Sequence, residues 1–133
     1  MKTTGNTILI TGGTSGIGRA LAEAFHDQGN RVIVTGRRQR LLDDITASRP
    51  GLTGMALDLD DPASLPQVVA DVQKRFPDLN VLIANAGISR AEDVRADGWD
   101  ATATQAIVDT NIMGVVRVCL LYTSDAADEG LGV

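Results

Sequence analysis

Eight residues, Thr11 to Gly18 (TGGTSGIG), have types and spacing that could do chemistry. Gly12, Gly16 and Gly18 give Gly-x-x-x-Gly-x-Gly, between an apolar β-branched run, TILIT at 7–11, and a helical pattern. A chain that leaves a strand and opens a helix at once needs glycines, which turn tightly and admit close backbone approach. The start of such a helix offers unpaired amides and the positive end of its dipole, which suits a diphosphate. Thr14 and Ser15 can add hydroxyl donors, and Ile17 begins the apolar face of the helix. Three glycines alone fit a ligand-free turn equally well, and the flanking strand and helix tip the reading towards nucleotide binding. A mononucleotide P-loop is rejected. Gly13 to Gly18 has its glycine spacing, but Arg19 replaces the phosphate lysine and Ala20 the magnesium-binding Ser or Thr.

Further candidates lie downstream. Asp58 and Leu59 end a third strand-like run, and Asn85, Ala86 and Gly87 follow a fourth. Asn111 is polar within an apolar helical stretch of Ile107, Val108, Ile112, Val115 and Val116. Read alone, Asp58 suits a turn cap, Asn85–Gly87 an ordinary turn, and Asn111 a solvated helix surface.

The elements that must position these residues alternate. Thr7–Thr11, Arg31–Thr35, Thr53–Leu59 and Asn80–Asn85 read as buried strands. A first helix carries Ile17, Leu21, Ala24 and Phe25 on one face, with Gly29-Asn30 as its stop. A second runs from Gln39 to Ser48. A third is expected to be capped by Asp61 with Pro62 at its first position, running through Leu65, Val68, Val69 and Val72 to Phe76. A fourth is expected from about Trp99 to about Val118. Alternation of this kind predicts an α/β fold: a doubly wound parallel sheet of the Rossmann type, about four strands flanked by helices. The glycine-rich turn then marks the switch point where a ligand binds.

With Thr11–Gly18 after the first strand, Asp58-Leu59 after the third and Asn85-Ala86-Gly87 after the fourth, the sequence resembles the short-chain dehydrogenase/reductase family over about Thr7 to Val118. The resemblance implies an oxidoreductase that moves hydride between a nicotinamide dinucleotide and an alcohol or carbonyl substrate. It implies that the first turn (Gly12, Thr14, Ser15, Gly16, Ile17, Gly18) binds the pyrophosphate and that Asp58, beside Leu59, bonds the adenine. Asn85, Ala86 and Gly87 would line the cofactor site, and Asn111 would help order a water in a proton relay. It also implies a small-molecule substrate and a homo-oligomeric whole protein.

The dinucleotide is expected to be NADP(H) rather than NAD(H). An acid about 20 residues past the glycines would bind a ribose 2′-hydroxyl. Here the second strand leads into Gly36, Arg37 and Arg38, with Asp43 and Asp44 deeper in the next helix. Arginines pair with a 2′-phosphate, whereas a carboxylate repels it. A solvated surface turn is the plainer account of the same two arginines.

The family's serine and Tyr-x-x-x-Lys are not matched. Tyr122 has Ala126 four positions on, Lys2 and Lys74 lie elsewhere, and Ser124 lacks the family context. Residues 119–129 (CLLYTSDAADE) read like translated sequencing adapter. The expected division is therefore an incomplete dinucleotide-binding domain over 1–118 and a non-native tail over 119–133. Such a piece is expected to be inactive, and alone to aggregate or fold marginally, because Val81–Ala84 would form an unpaired apolar edge. A non-catalytic dinucleotide sensor and an inactive truncated product remain the alternatives.

Bulk properties set the frame. The 133 residues are 44% hydrophobic and 22% charged with a net charge of −5, which permits one packed core and argues against nucleic-acid binding. One cysteine, Cys119, and one histidine, His26, allow no internal disulfide and argue against a metal site. No apolar run approaches the roughly 20 residues of a membrane helix, and no signal peptide is visible, so a cytoplasmic location is expected.

Overall fold

The computed structural model describes residues 2–59, 61–87, 98 and 100–120. Four parallel strands, β1 (Thr7–Thr11), β2 (Arg31–Gly36), β3 (Thr53–Ala56) and β4 (Val81–Ala84), form one sheet in the order β3-β2-β1-β4. The chain steps outwards from β1 to β3 and then crosses back, so β4 pairs with the free side of β1, Ile8 opposite Val81 and Thr11 opposite Ala84. That reversal opens a crevice beyond the carboxyl ends of β1 and β4.

Strand alternation sorts the core into two faces. Ile8, Ile10, Val32 and Val34 point to one side, against Ala22 of helix α1 (Gly16–Asp27) and Leu42 and Ile45 of α2 (Gln39–Ser48). Leu9 and Ile33 point to the other, against Val72 of α3 (Leu65–Arg75) and Phe76 just beyond it. A further cluster joins Leu57 and Leu59 to Leu65, Val69 and Val118. Helices on both faces of a parallel sheet make this the doubly wound arrangement expected from the alternation.

The details differ from the sequence reading in four places. In α1 the packed face is Gly18, Leu21, Ala22 and Phe25; Ile17 is 75% exposed and Ala24 also faces solvent. The helix sits so close to the sheet that small residues take the contact positions. β3 ends at Ala56 rather than Leu59. Leu57 N–H still donates to Gly36 O (2.9 Å), and the chain then leaves the sheet so that Leu57 and Leu59 fill the second face. α3 starts at Leu65, not after Asp61. Asp61 instead anchors a turn, its backbone oxygen accepting from Ser64 N–H (3.2 Å) and Ser64 Oγ (2.9 Å), and Pro66 occupies the helix's first turn.

The fourth helical region is also not uniform. Helix α4 (Ala101–Val108), capped by Asp100 accepting from Ala103 N–H (3.0 Å), passes into a π-helical turn, Asp109–Gly114, and residues 115–120 are helical again. Trp99 lies outside the described residues. Of Ile107, Val108, Val115 and Val118, only Val118 is fully buried, while Val108, Ile112 and Val116 are exposed. Residues 121–133, which include Tyr122, Ser124, Ala126 and most of the tail, lie outside the described residues as well. Among the described residues no helix is long and apolar enough to cross a membrane, and no group of three His, Cys, Asp or Glu side chains could hold a metal ion.

At the opposite end of the sheet, three asparagines close the strand starts. Asn6 donates its backbone N–H (3.0 Å) and side-chain amide (2.9 Å) to Asn30 Oδ1, and Asn80 Nδ2 donates to Asn6 Oδ1 (3.0 Å). Asn80 Oδ1 accepts from Thr7 N–H (2.9 Å).

On the outer surface, Arg49 ties the α2–β3 connection to α1 through Asp27 (2.8 Å) and Glu23 (3.1 Å). Hydrogen bonding from the Arg49 guanidinium holds the Asp27 carboxyl below its ordinary value of 3.8, although partial desolvation opposes the shift. A carboxyl lowered by folding contributes stability that is present above its unfolded pKa and is lost as pH falls through the folded value. NMR titration of Arg49→Ala should therefore show the Asp27 pKa returning upwards, and the variant should lose less stability than the parent below about pH 4. Superimposable acid-stability curves would overturn this assignment.

Candidate functional site

The site is built where β1 ends. Gly12 adopts φ +69°, a left-handed conformation that side-chain-bearing residues rarely enter. A methyl group on it would stand 2.7 Å from the Ala86 Cα, inside contact distance. The loop after β1 thus lies directly against the segment after β4. Gly18, one turn into α1, presses on the Gly12 carbonyl and the Asn85 side chain so closely that no side chain fits there. Asn85 Nδ2 donates to that same Gly12 oxygen at 3.2 Å.

Thr11 organises the other partner. Its buried hydroxyl accepts from both Asn85 N–H (3.1 Å) and Ala86 N–H (3.3 Å). Gly13 N–H donates to Thr35 O (3.2 Å), which fixes the loop to β2 on the other side. Ser15, extended at φ −153°, precedes α1 without any capping bond from its side chain. The first amides of α1 are therefore left without the side-chain acceptor that usually closes a helix start.

A cleft of about 200 Å³ opens at this corner. Gly12, Thr14 and Ser15 line one side, and Arg37, Arg38, Asp58 and Leu59 stand along another. Asn85, Ala86 and Gly87 complete the end beside β4. Gly16, Ile17 and Gly18 are not in its wall: Gly16 and Ile17 face solvent at the start of α1, and Gly18 packs beneath it.

Asn111 falls in the π-helical turn and approaches the same end, with its Oδ1 3.3 Å from where a Gly87 methyl would stand. A π turn adds one residue to a helical circuit and is often found at functional sites. Here it brings two consecutive residues to the site, Asn111 beside Gly87 and Thr110 in the cleft wall. Thr35, Gly36, Leu57 and Thr110 also line the cleft and were not singled out from the sequence. Thr35 and Gly36 were legible as the carboxyl end of a strand next to the switch point. Leu57 and Thr110 depend on where β3 stops and on the π turn, and no sequence pattern announces either.

Chemically, the corner offers uncapped amides, two guanidinium groups and a carboxylate around a polar crevice. That set suits a phosphate-bearing ligand that also presents a hydrogen-bond donor to the carboxylate.

Comparison with known proteins gives a consistent result. A family model described as short chain dehydrogenase matches residues 6–132. Among curated relatives, the uncharacterized oxidoreductase DltE of Bacillus subtilis is 32% identical over 123 residues, covering 92% of this chain and 49% of the relative. A serine 3-dehydrogenase of Rhizobium radiobacter is 38% identical over 117 residues, covering 84% and 45%. Among solved structures, a short-chain dehydrogenase from Streptomyces avermitilis superposes with a TM-score of 0.83 at 30% identity, covering 98% of this chain and 47% of its own. The chain thus spans about half the length of the relatives it matches.

Thr11 supplies the test of how the corner is held. Thr11→Val keeps the shape and removes the acceptor shared by two half-buried amides. It should cost about 1–2 kcal/mol, the lower part of the range for a donor left unpaired, read as a shifted urea midpoint. An unchanged midpoint would mean that the hydroxyl does not hold the Asn85–Gly87 segment.

Proposed function

Because this chain belongs to the short-chain dehydrogenase family, we propose that its cleft holds the adenosine diphosphate part of NADP(H) and that the whole protein transfers hydride between that cofactor and a small alcohol or carbonyl substrate. The observation that carries the reading is the corner of Gly12, Gly18 and Ala86, where missing side chains let the start of α1, which has no side-chain cap, stand beside a crevice walled by Gly12, Thr14 and Ser15. The residues present fit such a cofactor. The α1 amides at Gly16, Ile17 and Gly18, with Thr14 and Ser15, would hold the diphosphate. Asp58, beside Leu59, would bond the adenine, and Asn85, Ala86 and Gly87 would line the site.

Arg37 and Arg38, exposed at the cleft wall just past β2, support a 2′-phosphate partner. When bound, the dinucleotide supplies a nicotinamide ring that gives or takes a hydride. Asn111, beside Gly87, would hold a water on the path by which a substrate oxygen gains or loses its proton. The whole protein is proposed as a cytoplasmic enzyme. The exposed apolar residues Ile112, Met113 and Val116 support its assembly as a homo-oligomer.

Binding of NADPH and NADH to the full chain, followed by nucleotide fluorescence, tests the cofactor reading. NADPH should bind more tightly by about tenfold or more, a difference of ~1.4 kcal/mol. Arg37→Asp should remove or reverse that preference, since a carboxylate repels the 2′-phosphate. Equal affinities for the two nucleotides in the parent protein would overturn the NADP(H) assignment, and binding of neither would overturn the dinucleotide reading.

A further inference from the structure

We propose that Thr14 is a positioning residue for the cofactor, a wedge whose methyl group rests on Gly36 and sets the distance between the diphosphate loop and the Arg37–Arg38 turn. The inference rests on the reading of the cleft as an NADP(H) site and adds a specificity-determining contact to it.

The geometry is local and tight. Thr14 is 7% exposed, so its side chain is packed. A methyl group built on Gly36 would stand 2.6 Å from Thr14 Cγ2 and 3.1 Å from Oγ1. Gly36 is not in the left-handed region, so its backbone accepts any residue and the missing side chain serves the contact alone. Both sides of the contact are fixed from behind. Gly36 O accepts from Leu57 N–H at 2.9 Å, which ties the end of β2 to the chain leaving β3. On the loop side, Gly13 N–H donates to Thr35 O at 3.2 Å.

Thr14 is therefore held between a pinned loop and a pinned strand end, and threonine's branched side chain has few rotamers with which to yield. One residue beyond Gly36 stand the arginines; one residue beyond Thr14 stands Ser15, the last residue before α1. A ligand with a diphosphate and a 2′-phosphate must satisfy both places at once. A ligand without the 2′-phosphate needs only the first. The thickness of the Thr14–Gly36 contact should thus act on the preference for the phosphorylated dinucleotide, beyond any effect on binding in general.

The test is a size exchange across the contact, read by NADPH and NADH affinities of the full chain, with circular dichroism confirming that each variant is folded. Gly36→Ala should lower the ratio of NADPH to NADH affinity by at least about tenfold, because the added methyl pushes the two phosphate subsites out of register. Adding Thr14→Ser removes the Cγ2 methyl that collides, and should restore most of the ratio. Thr14→Val keeps the wedge without the hydroxyl, and should keep the ratio even if both affinities fall together. If Gly36→Ala leaves the ratio unchanged, or Thr14→Ser fails to restore it, the wedge is overturned while the cleft's assignment as a dinucleotide site stands. If Gly36→Ala does not fold, Thr14→Ala decides: without the wedge the ratio should fall, and a ratio equal to the parent's overturns the proposal. Binding of neither nucleotide by the parent would remove the underlying reading and this one with it.

Discussion

The molecule is organised around one steric constraint, the contact of bare backbone on bare backbone where β1 ends. Gly12 touches Ala86, and Gly18 touches Gly12, with no Cβ at either glycine to hold the segments apart. Two stretches distant in sequence, 12–18 and 85–86, are thereby drawn to one point. The rest of the site is the space that this convergence leaves: helix amides on one side, the end of β4 on another, and the strand-end arginines across the gap. Polar groups finish what sterics begin. The Thr11 hydroxyl collects two amides, and the Asn85 side chain closes onto the Gly12 carbonyl.

That constraint also explains the packing of α1. A helix that starts against Gly12 lies near the sheet, so its contact row is built from Gly18 and Ala22, with Leu21 and Phe25 reaching in from the sides. Larger apolar residues fill in around it: α2 brings Leu42 and Ile45 to the same face as α1, and Val72 of α3 with Phe76 covers the other.

The sequence was legible where the physics is local. Strand composition, alternation and the glycine spacing announced the parallel sheet, and the segments that line the cleft were visible as strand ends followed by Gly, Asn or Asp. It was misleading where tertiary contact overrides pattern. The period of 3.6 placed Ile17 and Ala24 on the buried face, but the closeness of α1 rotated that face towards its smaller residues. Asp61-Pro62 has the composition of a helix start, yet Asp61 makes a separate turn and the helix waits for Leu65. The π turn at Asp109–Gly114 was not visible at all, since a single extra residue in a helical circuit leaves no mark on composition. Thr110 was missed for that reason, whereas Asn111 stood out as a polar residue in an apolar run.

The seam of Asn6, Asn30 and Asn80 gives the sheet a different character at its far end. Carboxamides neither gain nor lose protons across the physiological range, and their mutual bonds carry no net charge to be screened. Acid or added salt weakens the Arg49 bridge on the outer surface but leaves this seam's chemistry alone. Solvent conditions that loosen the exterior therefore act on α1 and its neighbouring turn, and at the strand starts they reach the Thr7 hydroxyl's bond to the Asp78 carboxylate (3.0 Å) but not the carboxamide seam.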